Sequence, residues 1–174
     1  MSNFKLVSLT TRPEPQQIEP LLNAYYGLLI ARMREKGRMV NDAADGAIRE
    51  FWTNITDYLP PKGRLYIAYD TENKPVGCGT LKSLPNGKGE LKRLYVAPKM
   101  RGSGLGRALV ARRLEDARDM GLSEVLIDTL DVSHEMHALY SKMGFDEIGP
   151  YPESTTLQTA PELEKNMKFF RMRL

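Results

Sequence analysis

The stretch that most limits what this chain can become is MRGSGLGRAL, residues 100–109. It follows ELKRLYVAP, a strand-like run that Pro98 stops, and it leads into a helical pattern running from Leu105 to Met120. The chain must therefore pass from strand to helix through three glycines and two arginines. Unpaired N–H groups and the helix dipole make such a junction an anion site. Gly102, Gly104 and Gly106 let backbone approach a ligand closely, while Arg101 and Arg107 add charge, with Lys92, Arg93 and Lys99 expected nearby. The arrangement suits a pyrophosphate. It is not a P-loop, because no Gly-Lys-Ser/Thr follows, and its Gly-x-Gly-x-Gly spacing is not the dinucleotide fingerprint.

The rest of the chain supplies elements around this junction. FKLVSL alternates as a first strand, and Ile18, Leu21, Leu22, Tyr25, Leu28 and Leu29 recur at helical spacing up to Gly37. A shorter helix is expected from Asp42 to Tyr58. RLYIAYD and PVGCGTLKSL read as strands, and Asn86-Gly87 is a hairpin signal leading into the fourth strand, so these strands are expected to be antiparallel. In the helix after the glycine loop the apolar half carries Leu105, Leu109, Val110, Leu114, Ala117 and Met120, but also Arg113 and Asp116, and Gly121 stops it. SEVLIDTL is a buried-type strand, and HEMHALYSKM a short helix with Ser133 as N-cap and Gly144 as stop. FDEI and MKFFRMRL are the last strands. The connection 149–166 between them is long for a compact domain, which marks it as functional. One mixed α/β domain spanning residues 1–174 is expected.

With 174 residues, 41% hydrophobic and 27% charged, the chain is long enough to bury a sizeable core. A net charge of +3 permits an anionic ligand, and no nucleic-acid recognition motif accompanies it, so no nucleic-acid partner is expected. No apolar run approaches the ~20 residues of a membrane span, and the N-terminus lacks a signal peptide's extended apolar segment. No membrane association and a cytoplasmic location are therefore expected. The single cysteine, Cys78, allows neither an intramolecular disulfide nor a cysteine-based metal site, and reads as a small buried hydrophobe. His134 and His137 lack a third ligand, and no metal is assigned.

LKRLYVAPKMRGSGLGRALV resembles the acetyl-CoA signature of the GNAT N-acetyltransferase family, whose Arg/Gln-x-x-Gly-x-Gly/Ala pattern matches Arg101, Gly104 and Gly106. HALYSKMGF, residues 137–145, resembles the family's second motif. The motifs cover Glu90 to Phe145, and the element order fits nearly the whole chain. The resemblance implies a twisted, mostly antiparallel sheet of six or seven strands with about four helices, splayed between the fourth and fifth strands. The pantetheine arm of acetyl-CoA would lie in that V beside Leu94, Tyr95 and Val96. Arg101, Gly102, Ser103, Gly104, Leu105, Gly106 and Arg107 would hold the pyrophosphate, and a bulge in the fourth strand would aim a backbone N–H at the thioester carbonyl. Tyr140 would be the general acid for the leaving thiolate. Glu90 would be the general base, directly or through water, against the alternative of a solvated carboxylate beside Lys92. Ser133, where many relatives carry asparagine, would cap its helix or contact the cofactor. Tyr25, Tyr26 and Tyr151 are the candidate acceptor contacts.

The function expected from this resemblance is acetyl transfer from acetyl-CoA to a primary amine of a small molecule, by direct attack. GELKRLYV, ALYSKMGF and GPYPES point towards the small-molecule branch. The alternatives are acetylation of a protein lysine or N-terminus, and a noncatalytic acyl-CoA-binding module. A pocket closed by residues 149–166 favours a small acceptor, and an open groove a peptide. Dimers are common in the family, so a homodimer is an expectation by analogy.

Overall fold

The computed structural model describes residues 3–38 and 44–174. Seven strands form one sheet: β1 (Phe4–Leu9), β2 (Gly63–Asp70), β3 (Pro75–Leu84), β4 (Lys88–Val96), β5 (Glu124–Leu130), β6 (Asp146–Ile148) and β7 (Met167–Arg173). Their order across the sheet is β1-β2-β3-β4-β5-β7-β6. Every pairing is antiparallel except that of β4 with β5. The helices are α1 (Pro15–Glu35), α2 (Ala44–Thr53), α3 (Leu105–Asp119), α4 (His134–Lys142) and α5 (Thr155–Thr159).

The sheet is covered on both faces, and the period-two alternation of β2 shows how. Leu65 and Ile67 enter one core with Ile18, Leu22 and Phe51 of α1 and α2. Tyr66 and Ala68 enter the other with Leu109, Val110 and Leu114 of α3 and Tyr140 of α4. The imperfect stripe on α3 is buried, charges included. Arg113 is fully buried, and Asp116 accepts a hydrogen bond from the Tyr66 hydroxyl.

One expectation needs correction. The second helix does not run on to Tyr58: it ends at Thr53, and a separate 3-10 turn covers Ile55–Tyr58, while Asp42 lies outside the described residues. Besides the four longer helices, the connection 149–166 contains the short α5, whose N-cap Ser154 accepts from the Leu157 N–H at 3.2 Å.

The parallel pairing that interrupts the sheet is very short. β4 and β5 pair only at Lys88–Glu124, Gly89–Val125 and Glu90–Leu126, and beyond Glu90 they part. The expected V therefore begins at Glu90. The expected bulge is also present: Thr80 pairs with Lys92 and Cys78 with Tyr95, so one residue of β3 faces two of β4. Arg93, at the bulge, has φ of 54°, a left-handed conformation.

Candidate active site

Between a short turn at Pro98–Met100 and α3, the glycine loop uses two of its glycines for conformation. Gly102 and Gly104 have φ of 79° and 87°, which side chains rarely adopt. Gly106 lies inside the first turn of α3, where a Cβ would make only ordinary contacts with Leu139 and Val96. Arg101 and Arg107 are exposed beside this helix start. The other cations once placed here are elsewhere. Lys99 pairs with Asp70, while Lys92 and Arg93 line a second cavity.

A cavity of about 340 Å³ runs from the glycine loop along β4. Its walls include Leu94, Tyr95, Val96, Arg101, Gly102, Gly106 and Ser133, which brings together most of the residues expected to contact cofactor. Ser103, Gly104 and Arg107 lie outside its wall on the exposed loop and first turn, and the Leu105 side chain is in the core. Ser133 holds the N-cap position of α4 without a side-chain capping bond, which leaves its hydroxyl at the cavity. Arg32 of α1 and Glu135 of α4 form a two-pronged ion pair at this cavity, and Arg32 also donates to the Val132 carbonyl at 3.2 Å.

A second cavity, of about 540 Å³, meets the first at Tyr25 and Leu29, which line both. Tyr26, Lys92, Arg93, Asp128, Thr155 and Thr156 are among its walls. Its charges are held in pairs. Lys92 Nζ lies 2.8 Å from Asp128 Oδ1 and donates to Thr156 Oγ1 at 2.7 Å. Arg93 donates to Glu50 Oε2 at 2.6 Å and to the Tyr26 hydroxyl at 3.1 Å. Burial pushes the Asp128 carboxyl up, but the Lys92 ammonium and hydrogen bonds from Lys92 and Ser154 outweigh it and hold the group below the usual carboxylate range.

The segment carrying α5 forms one wall of this second cavity, and acidic side chains strap it down. Glu90 is fully buried at the vertex of the V. Its Oε1 accepts from the Tyr151 hydroxyl at 2.8 Å and the Thr155 N–H at 3.2 Å, and its Oε2 from Thr155 Oγ1 at 2.8 Å. Asp128 accepts from Ser154 Oγ at 2.7 Å, and Lys88 pairs with Glu153 at 3.0 Å. Glu90 is thus not a solvated carboxylate beside Lys92. Tyr151, expected against acceptor, is buried with its hydroxyl engaged on Glu90, and neither residue lines either cavity.

Tyr140 packs between Phe145 and Phe170 and is 4% exposed. Burial raises its phenol pKa, partly offset by the positive charge of Arg113. It belongs to the core on the opposite face of the sheet from the one Tyr25 packs against, and it lines neither cavity. Cys78 is buried, and burial pushes its thiol up to about 12, so it is no nucleophile; its Sγ donates to the Arg93 carbonyl at 3.4 Å. Sequence reasoning missed Asp128, Thr155 and the Arg32–Glu135 pair, whose partners lie far away in the chain. The one local signal was Asp128, a carboxylate directly after the apolar run Val125, Leu126 and Ile127 of β5.

The sequence profile of the Acetyltransferase (GNAT) family matches residues 25–145. The IAA acetyltransferase of Azospirillum brasilense is 32% identical over 126 residues, 64% of this chain and 82% of that protein. The uncharacterized N-acetyltransferase YjgM of Escherichia coli is 30% identical over 148 residues, 83% of this chain and 82% of that protein. Among solved structures, a GNAT family acetyltransferase from Elizabethkingia anophelis with acetyl-CoA bound aligns with a TM-score of 0.65 at 22% identity, covering 100% of both chains. The profile spans the wall of the first cavity and all of the second cavity's wall except the part from Thr155 to Met167, and the strand order and V agree with it: this chain is an acetyltransferase of the GNAT family.

Proposed function

We propose that the protein transfers an acetyl group from acetyl-CoA to the primary amine of a small molecule. The observation that carries this reading is the pair of cavities meeting at Tyr25 and Leu29, one beginning at the glycine loop and the other walled on one side by the strapped segment around α5. The residues present fit the donor. The slot along β4 accepts an arm, and exposed Arg101 and Arg107 at a helix N-terminus suit a diphosphate. Acetyl-CoA supplies an acetyl group already activated as a thioester.

The chain supplies position and protons. Leu94 to Val96 align the arm, and the β4 bulge polarises the carbonyl where negative charge develops. The cavity of about 540 Å³ orients an amine towards the junction at Tyr25. Thr155 Oγ1 takes the amine proton and passes its own to Glu90 Oε2, since Thr155 lines the cavity while Glu90 lies behind it. Tyr140, kept protonated by burial, gives its proton to the leaving sulfur. The strap over the second cavity favours a small acceptor over a peptide.

A panel of small amines with acetyl-CoA, read by release of free thiol and by product mass, tests this. Turnover of a small amine is expected. Acetylation of a lysine peptide with no small amine consumed would overturn the substrate class, and binding of acetyl-CoA without any turnover would overturn the catalytic reading.

A further inference from the structure

Arg113 of α3 is fully buried, yet no carboxylate among the described residues lies within ion-pair distance of it. A stripe position that only filled the core would be apolar, because a buried cation without a counter-ion is unfavourable. Its bonds explain what it does instead. Nη1 donates to the carbonyls of Thr80 at 3.2 Å and Lys92 at 3.3 Å, and Nε to the Leu109 carbonyl at 3.0 Å, while Nη2 is buried without a partner. Thr80 and Lys92 are the last regular pair before the β4 bulge. The backbone across from the bulge makes room: a Cβ on Gly79 would stand 3.2 Å from the guanidinium carbon.

The bulge itself needs holding. Arg93 at φ of 54° is in a conformation that persists only where its surroundings over-determine it. On one face its side chain is held by Glu50 and Tyr26. At the backbone, the Lys92 carbonyl takes Thr80 Oγ1 at 3.1 Å as well as Arg113, and the Arg93 carbonyl takes the Cys78 thiol. Side chains here replace the ladder bonds that a bulge forfeits.

We propose that Arg113 is the positioning residue of the β4 bulge: it clamps the carbonyls beside it, fixes the N–H that the bulge turns out of the ladder, and places an unneutralised charge behind the thioester carbonyl. The inference rests on the reading that acetyl-CoA lies along β4. Its effect is on the acetyl carbonyl rather than on affinity, since Arg113 touches neither cavity.

The test uses acetyl-CoA isotopically labelled at the thioester carbonyl, with difference infrared spectroscopy on the bound ligand and kcat on the best amine of the panel. In the wild type the bound carbonyl stretch falls below its value in water. Arg113→Met returns it towards that value with acetyl-CoA affinity close to wild type. kcat drops roughly ten- to a hundredfold, less than the ~10²–10³ seen when an oxyanion donor is removed outright. Arg113→Lys, which keeps the charge, falls between. Gly79→Ala, which crowds the guanidinium without removing it, shifts the stretch in the same direction. If Arg113→Met fails to fold, Arg113→Lys and Gly79→Ala decide the matter. An unchanged stretch and kcat in folded, ligand-bound variants overturn the role of Arg113 alone. Failure of the wild type to bind the labelled ligand in calorimetry overturns the underlying reading as well.

Discussion

Two residues past the last paired position of β4 and β5, the Lys92 ammonium reaches across the gap to Asp128, 2.8 Å from Oδ1 and 3.0 Å from Oδ2. The strands have separated, and a buried ion pair joins them where backbone hydrogen bonds no longer do. Asp128 is 3% exposed and Lys92 12% at the side chain, so each depends on the other for its charge.

Removing one partner is therefore predicted to be severe. Lys92→Met should lower stability by about 3–5 kcal/mol, because Asp128 is left buried without its cation, and Lys92→Met with Asp128→Leu should recover much of the loss. Thermal or urea melts check this. The lowered Asp128 pKa makes its contribution full above the unfolded value near ~3.9, and lost as pH falls through the folded value. A Lys92→Met protein that melts like wild type would refute the prediction.

Thr155 separates the two tasks of Glu90. Thr155→Val keeps the shape and the backbone N–H to Glu90 but removes the hydroxyl between cavity and carboxylate, so kcat should fall on the order of 10²-fold with little change in acetyl-CoA affinity. Glu90→Gln should slow turnover similarly and also loosen the segment held by Tyr151. Hydrogen exchange around α5 distinguishes them: faster exchange is expected in Glu90→Gln and not in Thr155→Val. Equal turnover of Thr155→Val and wild type would remove the hydroxyl from the proton path.

Gly104 has φ of 87° and open space where a Cβ would go, so any penalty there is conformational. Gly104→Ala should lose about 1–2 kcal/mol of stability. It should also weaken acetyl-CoA binding by displacing the start of α3. Wild type at a hundredfold over Kd should gain about 2.7 kcal/mol from the ligand, and calorimetry and melting shifts on both proteins read this out. Identical affinity in the two would show that this turn does not hold the diphosphate.

Tyr140→Phe keeps the ring against Phe145 and Phe170 and loses the proton. The variant should fold, bind acetyl-CoA nearly as well, and turn over roughly ten- to a thousandfold more slowly where chemistry limits the rate. Full activity under those conditions would leave solvent as the acid.

Hydrogen bonds from Arg32 hold the Glu135 carboxyl at about 2. In Arg32→Ala it should return towards ~4.3, which NMR titration of the carboxyl measures. The depressed value means that the pair stabilises above ~4.3 and fades as pH falls towards 2. With Glu135 45% exposed at the side chain, solvent screening limits its worth to about 1 kcal/mol or less. An unchanged Glu135 titration in Arg32→Ala would show that the pair is not formed in solution.

What could be read from the chain alone is what short-range physics imposes. The β-branched and aromatic run RLYIAYD marks β2 as a strand, and Gly102, Gly104 and Gly106 mark a close backbone approach before α3. Arg113 on the apolar half of α3 was visible as an anomaly, since helical periodicity alone sets which face a residue occupies. Its purpose was not visible, because Thr80 and Lys92 are brought to it by strand pairing. Likewise Glu90 could be placed at the start of β4, but Tyr151 and Thr155 meet it from 61 and 65 residues away. Such contacts depend on the order in which strands join the sheet. β7 lies between β5 and β6, which carries the segment before it back over the V, and no local pattern in that segment encodes its destination.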